Sequence, residues 1–223
     1  MSMSSPGLAL LIGNSDGIGL ETTRLLLERG WRVVGLSRSA SPLSHPAYQH
    51  RVLDVAEPGF EAALRELAAA EVPDVALYCA GIGCGCDLTD LASQTRAFRV
   101  NLLAAAVATE VLVPAMLARG RGHFIGLSSI ADLLTSSASP AYAASKAGIT
   151  RYWEGLGAAL AKEGKPVRIS NVRFGFVDTK MAKAPFKPFQ MTVRAAAETL
   201  LDTMARPRLR VTRPRRMAFL AWL

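Results

Sequence analysis

Cysteine is nearly absent from this chain. The three that occur, Cys79, Cys84 and Cys86, are odd in number and close together. That excludes the paired framework of a small secreted domain and points to a reducing, cytoplasmic setting. No histidine lies near them, and three thiols without a fourth donor make a poor tetrahedral site, so no metal is expected. The opening MSMSSPG has neither the charged start nor the apolar run of a secretory leader. No uninterrupted apolar run approaches the roughly 18 residues of a membrane span. Internal repeats, linkers and low-complexity tracts are also missing, which argues for one domain over residues 1–223.

What is present suits a globular protein with a real core: 50% of the 223 residues are hydrophobic and 20% are charged. The net charge of +8 is uneven, because six arginines (Arg206, Arg208, Arg210, Arg213, Arg215 and Arg216) fall within residues 206–216. Such a run suits nucleic acid or anionic lipid, but a solvated segment is the favoured reading. Nucleic acid is therefore not an expected partner. The closing MAFLAWL is apolar and is read as a docking or subunit contact, or a membrane-surface contact. A chain cut short inside that stretch is the other reading.

Apolar runs alternate with helical spacing from end to end. The runs at 8–13, 31–37, 50–55, 74–81, 122–129, 167–175 and 209–212 read as strands. Residues 19–30, 60–71, 88–118, 140–163 and 192–205 read as helices, with a break expected near Pro114 or Gly120. Strands alternating with helices imply an α/β fold, a parallel sheet with helices on both faces. The segment KAPFKPFQM (183–191) reads as a loop.

Two local features carry chemistry. The first is LALLIGNSDGIGLE, where Gly13, Gly17 and Gly19 stand between the first strand and the first helix. Small residues there let the backbone approach a pyrophosphate, and the helix N-terminus favours the anion. The second is AYAASKAGI, where Tyr142 and Lys146 stand four apart in a helix-forming run. Residues i and i+4 share a helix face, so phenol and ammonium can address one spot. A cation within about 4–6 Å would lower a phenol's pKa of about 10 toward neutrality.

IGNSDGIG (12–19), LDV (53–55), CAG (79–81), VNLLA (100–104), GLSS (126–129), YAASK (142–146) and FGFVDT (174–179) follow one another in this order. Together they resemble the short-chain dehydrogenase/reductase family in its single-domain form. The resemblance implies a Rossmann-type doubly wound sheet of seven strands in the order 3-2-1-4-5-6-7. It implies a reversible hydride transfer between nicotinamide and a carbonyl or secondary alcohol. Tyr142 would be the proton donor or acceptor, and Lys146 its cationic partner and a ribose ligand. Ser129 would bind the substrate oxygen, with neighbouring Ser128 structural. Asn101 would support a water-linked proton path. Cofactor contacts would come from Gly13, Ser15, Gly17, Ile18, Gly19, Ser37, Arg38, Asp54, Val55, Ala80, Gly81, Val177 and Thr179, together with Tyr142 and Lys146. Cys79 and Phe174 depart from the family's usual Asn and Pro.

The end of the second strand has Ser37 and Arg38 in place of an acidic residue. An arginine there can pair with a 2′-phosphate, so NADP(H) is favoured over NAD(H). Asp16 inside the glycine turn opposes this, because its charge would repel phosphate. Met181, Phe186, Phe189 and Met191 form either a small apolar lid or a loop tucked onto the core. A small-molecule carbonyl or alcohol is the expected partner, with a homodimer or homotetramer built through helices 88–118 and 140–163. The rival reading is a non-catalytic dinucleotide-binding scaffold or sensor, which would have no need of Ser129, Tyr142, Lys146 and Asn101. Sugar epimerases and dehydratases share the Tyr-Lys spacing but usually carry a longer substrate region.

Overall fold

Every residue of LALLI, strand β1 (Leu8–Ile12), is buried. Strand side chains alternate between faces, and here both faces are covered. Leu10 and Ile12 enter one core with Phe60, Leu112, Phe124 and Trp153. Ala9 and Leu11 enter the other with Leu25, Trp31, Ile125 and Leu200. This is why the run is continuously apolar rather than alternating.

The computed structural model describes residues 6–182 and 187–220, with backbone alone for 218–220. The strands β1, β2 (Arg32–Ser37), β3 (Tyr48–Val52), β4 (Val75–Tyr78), β5 (Gly122–Ser129), β6 (Val167–Phe174) and β7 (Arg210–Arg213) form one sheet. Its order is β3-β2-β1-β4-β5-β6-β7, and every pairing is parallel. Helices α2 (Gly59–Ala70), α4 (Ala104–Arg119) and α5 (Pro140–Lys162) cover one face. Helices α1 (Gly17–Glu28) and α6 (Val193–Ala205) cover the other. Helix α3 (Ala92–Phe98) leads into α4, and a short α7 (Arg215–Leu220) follows β7. All seven strands therefore end at one edge of the sheet, where an α/β fold places its ligand.

Three sequence expectations shift. The third strand covers 48–52, not 50–55, and Leu53 follows it with an N–H donated to the Ser37 carbonyl at 2.9 Å. Pro114 does not break its helix. It is exposed, so the hydrogen bond it cannot make faces solvent. The helix ends as expected at Gly120, φ +82°, and an interruption not expected falls at Arg99–Leu103, a π-helical turn joining α3 to α4. The run Ala92–Arg119 is long and apolar enough to cross a membrane by length and composition alone. Its Ala105, Ala108, Leu112 and Met116 are fully buried in the core.

The arginine-rich run is not a free patch. Arg206 and Arg208 pair with Asp202, and Arg210 with Glu154. Arg216 lies over the Phe189 ring, 5.7 Å from its centroid. The side chains of the closing MAFLAWL beyond Met217 fall outside the described residues.

Candidate active site

The glycine turn follows directly from β1. Gly13 has φ +89° and donates its N–H to the Leu36 carbonyl at 2.7 Å. A Cβ on Gly13 would meet the Ala80 backbone at 2.5 Å, and one on Gly19 would meet the Gly13 carbonyl oxygen at 2.0 Å. Only bare backbone allows this approach, which brings the turn against Ala80 and Gly81 beyond β4. Asp16 caps α1, its Oδ1 accepting the Gly17 N–H at 2.8 Å. Leu20 donates to the Asp16 carbonyl at 3.2 Å, so the Ile18 and Gly19 N–H groups have no intrahelical acceptor. Those two donors at a helix N-terminus fit a pyrophosphate. Ser15 lies in the turn itself, half-buried.

Buried Asn14 was not singled out in the sequence. Its Nδ2 donates to Thr23 Oγ1 at 3.1 Å and to the Tyr48 hydroxyl at 2.7 Å, pinning the turn to α1 and β3. A Cβ on Gly35 would meet that Nδ2 at 2.2 Å. Its partners lie 9 and 34 residues away, beyond the reach of local spacing.

At the end of β2 the two residues expected to read the adenosine end diverge. Ser37 is buried, with its hydroxyl 2.7 Å from His50 Nε2 and 3.1 Å from the Ser39 carbonyl. Arg38 is exposed and is the group available to a phosphate. Asp54 and Val55 sit half-buried after β3. Burial works against the Asp54 carboxylate, but the Ala56 N–H and the Arg96 guanidinium, 2.6 Å away, hold its pKa below the ordinary value.

The side chains expected to handle the proton converge beyond β4 and β5. Lys146 is 5% exposed, donates to the Leu127 carbonyl at 2.9 Å and lies 5.9 Å from the Tyr142 ring centroid. Ser129 lies beside Tyr142, close enough to oppose the rise of its pKa. Ser129 also ends β5, its Oγ accepting the Ala131 N–H at 3.2 Å. Ser128 instead faces Thr150 Oγ1 at 2.5 Å, the structural role expected of it. Asn101 lies in the π-helical turn and is 1% exposed. It clamps Ile82 through both backbone groups, at 2.8 and 2.9 Å, and reaches Ser145 Oγ at 3.1 Å. A Cβ on Gly81 would lie 3.5 Å from Asn101 Oδ1, 3.6 Å from Lys146 Nζ and 4.0 Å from Met181 Cε. Bare Gly81 thus keeps the approach to the ammonium clear.

One expectation is corrected. The Tyr142 phenol is not brought toward neutrality, because burial dominates and raises its pKa, opposed by neighbouring Ser129. Burial also lowers Lys146 to about 8, with nearby Cys79 opposing. The Cys79 thiol is pushed up to about 12, chiefly by burial.

Beyond β6, Val177 is buried and bridges to Met191, whose N–H donates to the Phe176 carbonyl at 2.8 Å. Met191 therefore packs onto the core. Met181 and Phe189 are each 45% exposed, which suits a lid. Phe186 lies outside the described residues. Thr179 faces Gly17 across the groove, with Cγ2 3.4 Å from where a Cβ on Gly17 would be. Two features went unread in the sequence here. Met217 of α7 closes on Gly175, and Lys180 pairs with Asp16.

Fold and site together define an α/β protein of the dinucleotide-binding class, with a Ser-Tyr-Lys cluster beside its glycine turn. Residues 7–188 match the short chain dehydrogenase family, and the chain belongs to that family of oxidoreductases. It is 32% identical over 165 residues to the dehydrogenase RED2 of Cochliobolus heterostrophus, a match covering 71% of this chain and 62% of that relative. A short chain dehydrogenase from Burkholderia cenocepacia, solved in complex with NADP, superposes with TM-score 0.86 at 22% identity, over 99% of this chain and 93% of that one. A Burkholderia phymatum short chain dehydrogenase/reductase, solved in complex with NAD, gives TM-score 0.83 at 18% identity, over 100% and 94%. At these identities the two structures speak for the fold.

Proposed function

We propose that the chain is a nicotinamide-dinucleotide-dependent oxidoreductase acting on a carbonyl or secondary alcohol, with NADP(H) favoured over NAD(H). The observation that carries this reading is the convergence of Ser129, Tyr142 and Lys146 beside bare Gly81. The cofactor, when bound, donates or accepts the hydride at the substrate carbon. Gly13, Ile18, Gly19, Arg38, Asp54, Val55, Ala80 and Thr179 would hold it. Ser129 donates a hydrogen bond to the substrate oxygen. Tyr142 gives its proton to that oxygen during reduction and takes it back during oxidation. A raised Tyr142 pKa keeps the phenol protonated before reduction. The Lys146 ammonium then stabilises the phenolate left behind.

Arg38 supports the NADP(H) preference, since it is exposed at the end of β2 while the Ser37 hydroxyl is engaged internally. Titration of NADPH and NADH into the purified chain at fixed ionic strength, with Arg38→Asp beside it, tests this. Arg38→Asp should weaken NADPH far more than NADH, and equal losses would defeat the phosphate reading. We further propose a cytoplasmic homodimer. The three free thiols suit a reducing compartment. Leu103, at the start of the α4 region, and Tyr152 on α5 are exposed apolar groups on the helices expected to form the contact. Light scattering should give twice the 23.8 kDa chain mass, and a monomer at micromolar concentration would reject the dimer.

A further inference from the structure

Strand β3 sends two neighbouring rings toward β2 and the glycine turn. Tyr48 and His50 stand two residues apart, so they share a strand face, and their ring centroids are 6.0 Å apart. The Tyr48 hydroxyl accepts from Asn14 in the glycine turn. His50 is paired in register with Gly35 and reaches along β2 to Ser37, with Nε2 2.7 Å from Oγ. The Ser37 hydroxyl has one proton, and it donates that proton to the Ser39 carbonyl at 3.1 Å. The His50 contact therefore runs from Nε2–H to Oγ. Burial lowers the His50 pKa, so at neutral pH the ring is uncharged and carries its single proton on Nε2. His50, Ser37 and the Ser39 carbonyl thus form one chain of hydrogen bonds, which closes a bend in the backbone after β2. Arg38 is the residue inside that bend, and its side chain is exposed.

We propose that His50 is a positioning residue for 2′-phosphate recognition, acting through Ser37 to hold the bend that presents Arg38. This rests on the reading of Arg38 as the 2′-phosphate ligand. An arginine side chain loses rotamer freedom when it meets a phosphate. A backbone already fixed beneath it lowers the ordering cost of binding. The contribution of His50 is the direction of one hydrogen bond, so it needs a donor at Nε2 and no charge. A ring that accepted from Ser37 would compete with the Ser39 carbonyl for the one hydroxyl proton and open the bend. The effect belongs to NADPH alone, because NADH has no phosphate for Arg38 to meet.

Equilibrium titration of NADPH and NADH by nicotinamide fluorescence, at neutral pH and fixed ionic strength, tests the proposal on the full chain with no need of a substrate. His50→Leu removes the donor. It should weaken NADPH by about three- to tenfold, the worth of one hydrogen bond. NADH affinity should stay within about twofold, which also reports that the variant is folded. His50→Gln keeps an N–H donor at the end of the side chain and should recover most of the NADPH loss. In an Arg38→Ala background His50→Leu should be silent toward both dinucleotides, because a residue that acts through another has no effect without it. Unchanged NADPH affinity in His50→Leu, or equal losses of NADPH and NADH, overturns the proposal. An NADPH loss that His50→Gln does not recover overturns the donor role. A loss that persists in the Arg38→Ala background puts His50 on the phosphate itself and overturns its action through the bend. If Arg38→Ala alone leaves NADPH affinity unchanged, the phosphate reading fails and this inference falls with it.

Discussion

Burial moves Tyr142 and Lys146 in opposite directions, up for the phenol and down to about 8 for the ammonium. At neutral pH the phenol keeps its proton and most Lys146 side chains keep their charge. Above about pH 8 the cation is lost, and with it the stabilisation of a phenolate. Reductive turnover should therefore be level below about pH 8 and fall above it. A pH–rate profile level to pH 10 would contradict the role given to Lys146. His123 offers a stability counterpart. It is buried in β5, bonded to Ser170 Oγ at 2.8 Å, and lowered from 6.5 to about 4 by burial, with Arg168 adding to the shift. The unfolded chain binds the proton first as pH falls, so the contribution is complete above 6.5 and is lost on the way down through about 4. The full loss is ~3 kcal/mol. Denaturant titrations across this window should show that slope, flattened in His123→Gln, and an equal slope in both proteins would reject His123 as its source. At this scale the meeting of Tyr142, Lys146 and Ser129 was legible because Tyr142 and Lys146 are close in sequence and Ser129 ends a recognisable strand. Lys180 and Asn14 were not, since their meaning depends on partners far along the chain.

Among the elements, the turn that carries Ser129 is held from β6. Asp132 in that turn and Arg173 in β6 form an ion pair at 2.6 Å, with their side chains 2% and 7% exposed. A buried pair is costly to leave half-made, so Asp132→Ala should destabilise the chain by about 3–5 kcal/mol. Replacing both partners together with apolar residues, Asp132→Leu and Arg173→Met, should restore most of that in urea titrations. A loss below about 1 kcal/mol for Asp132→Ala would show that water reaches the pair. The central strands were legible because both of their faces are buried, which leaves continuous apolar runs. Strand β3 was misplaced because it lies at the sheet edge, with Gln49, Arg51 and Val52 exposed. The π-helical turn at Arg99–Leu103 leaves no compositional trace, since one widened turn changes no residue type. It nonetheless sets Asn101 against Ile82 and Ser145, and such turns often sit at functional sites.

Over the whole molecule, the parallel sheet gathers its working loops at one edge, and several of the exposed apolar groups follow. Leu88 after β4, Leu133 and Leu134 after β5, and Met181 and Phe189 after β6 all stand on loops at that edge. Half of the arginines of the basic run near the C-terminus, Arg206, Arg208 and Arg210, are paired with Asp202 and Glu154. Duplex DNA should therefore not be retained at ~0.15 M salt, and steeply salt-dependent binding would contradict that assignment. The central claim is that Tyr142 moves the proton beside a bound nicotinamide dinucleotide. The most direct measurement compares the unsubstituted chain with Tyr142→Phe, reading NADPH affinity by fluorescence and carbonyl-dependent NADPH oxidation in the same preparations. The expected result is nearly unchanged affinity with turnover reduced by about 100-fold or more. Equal turnover in the two proteins would contradict it.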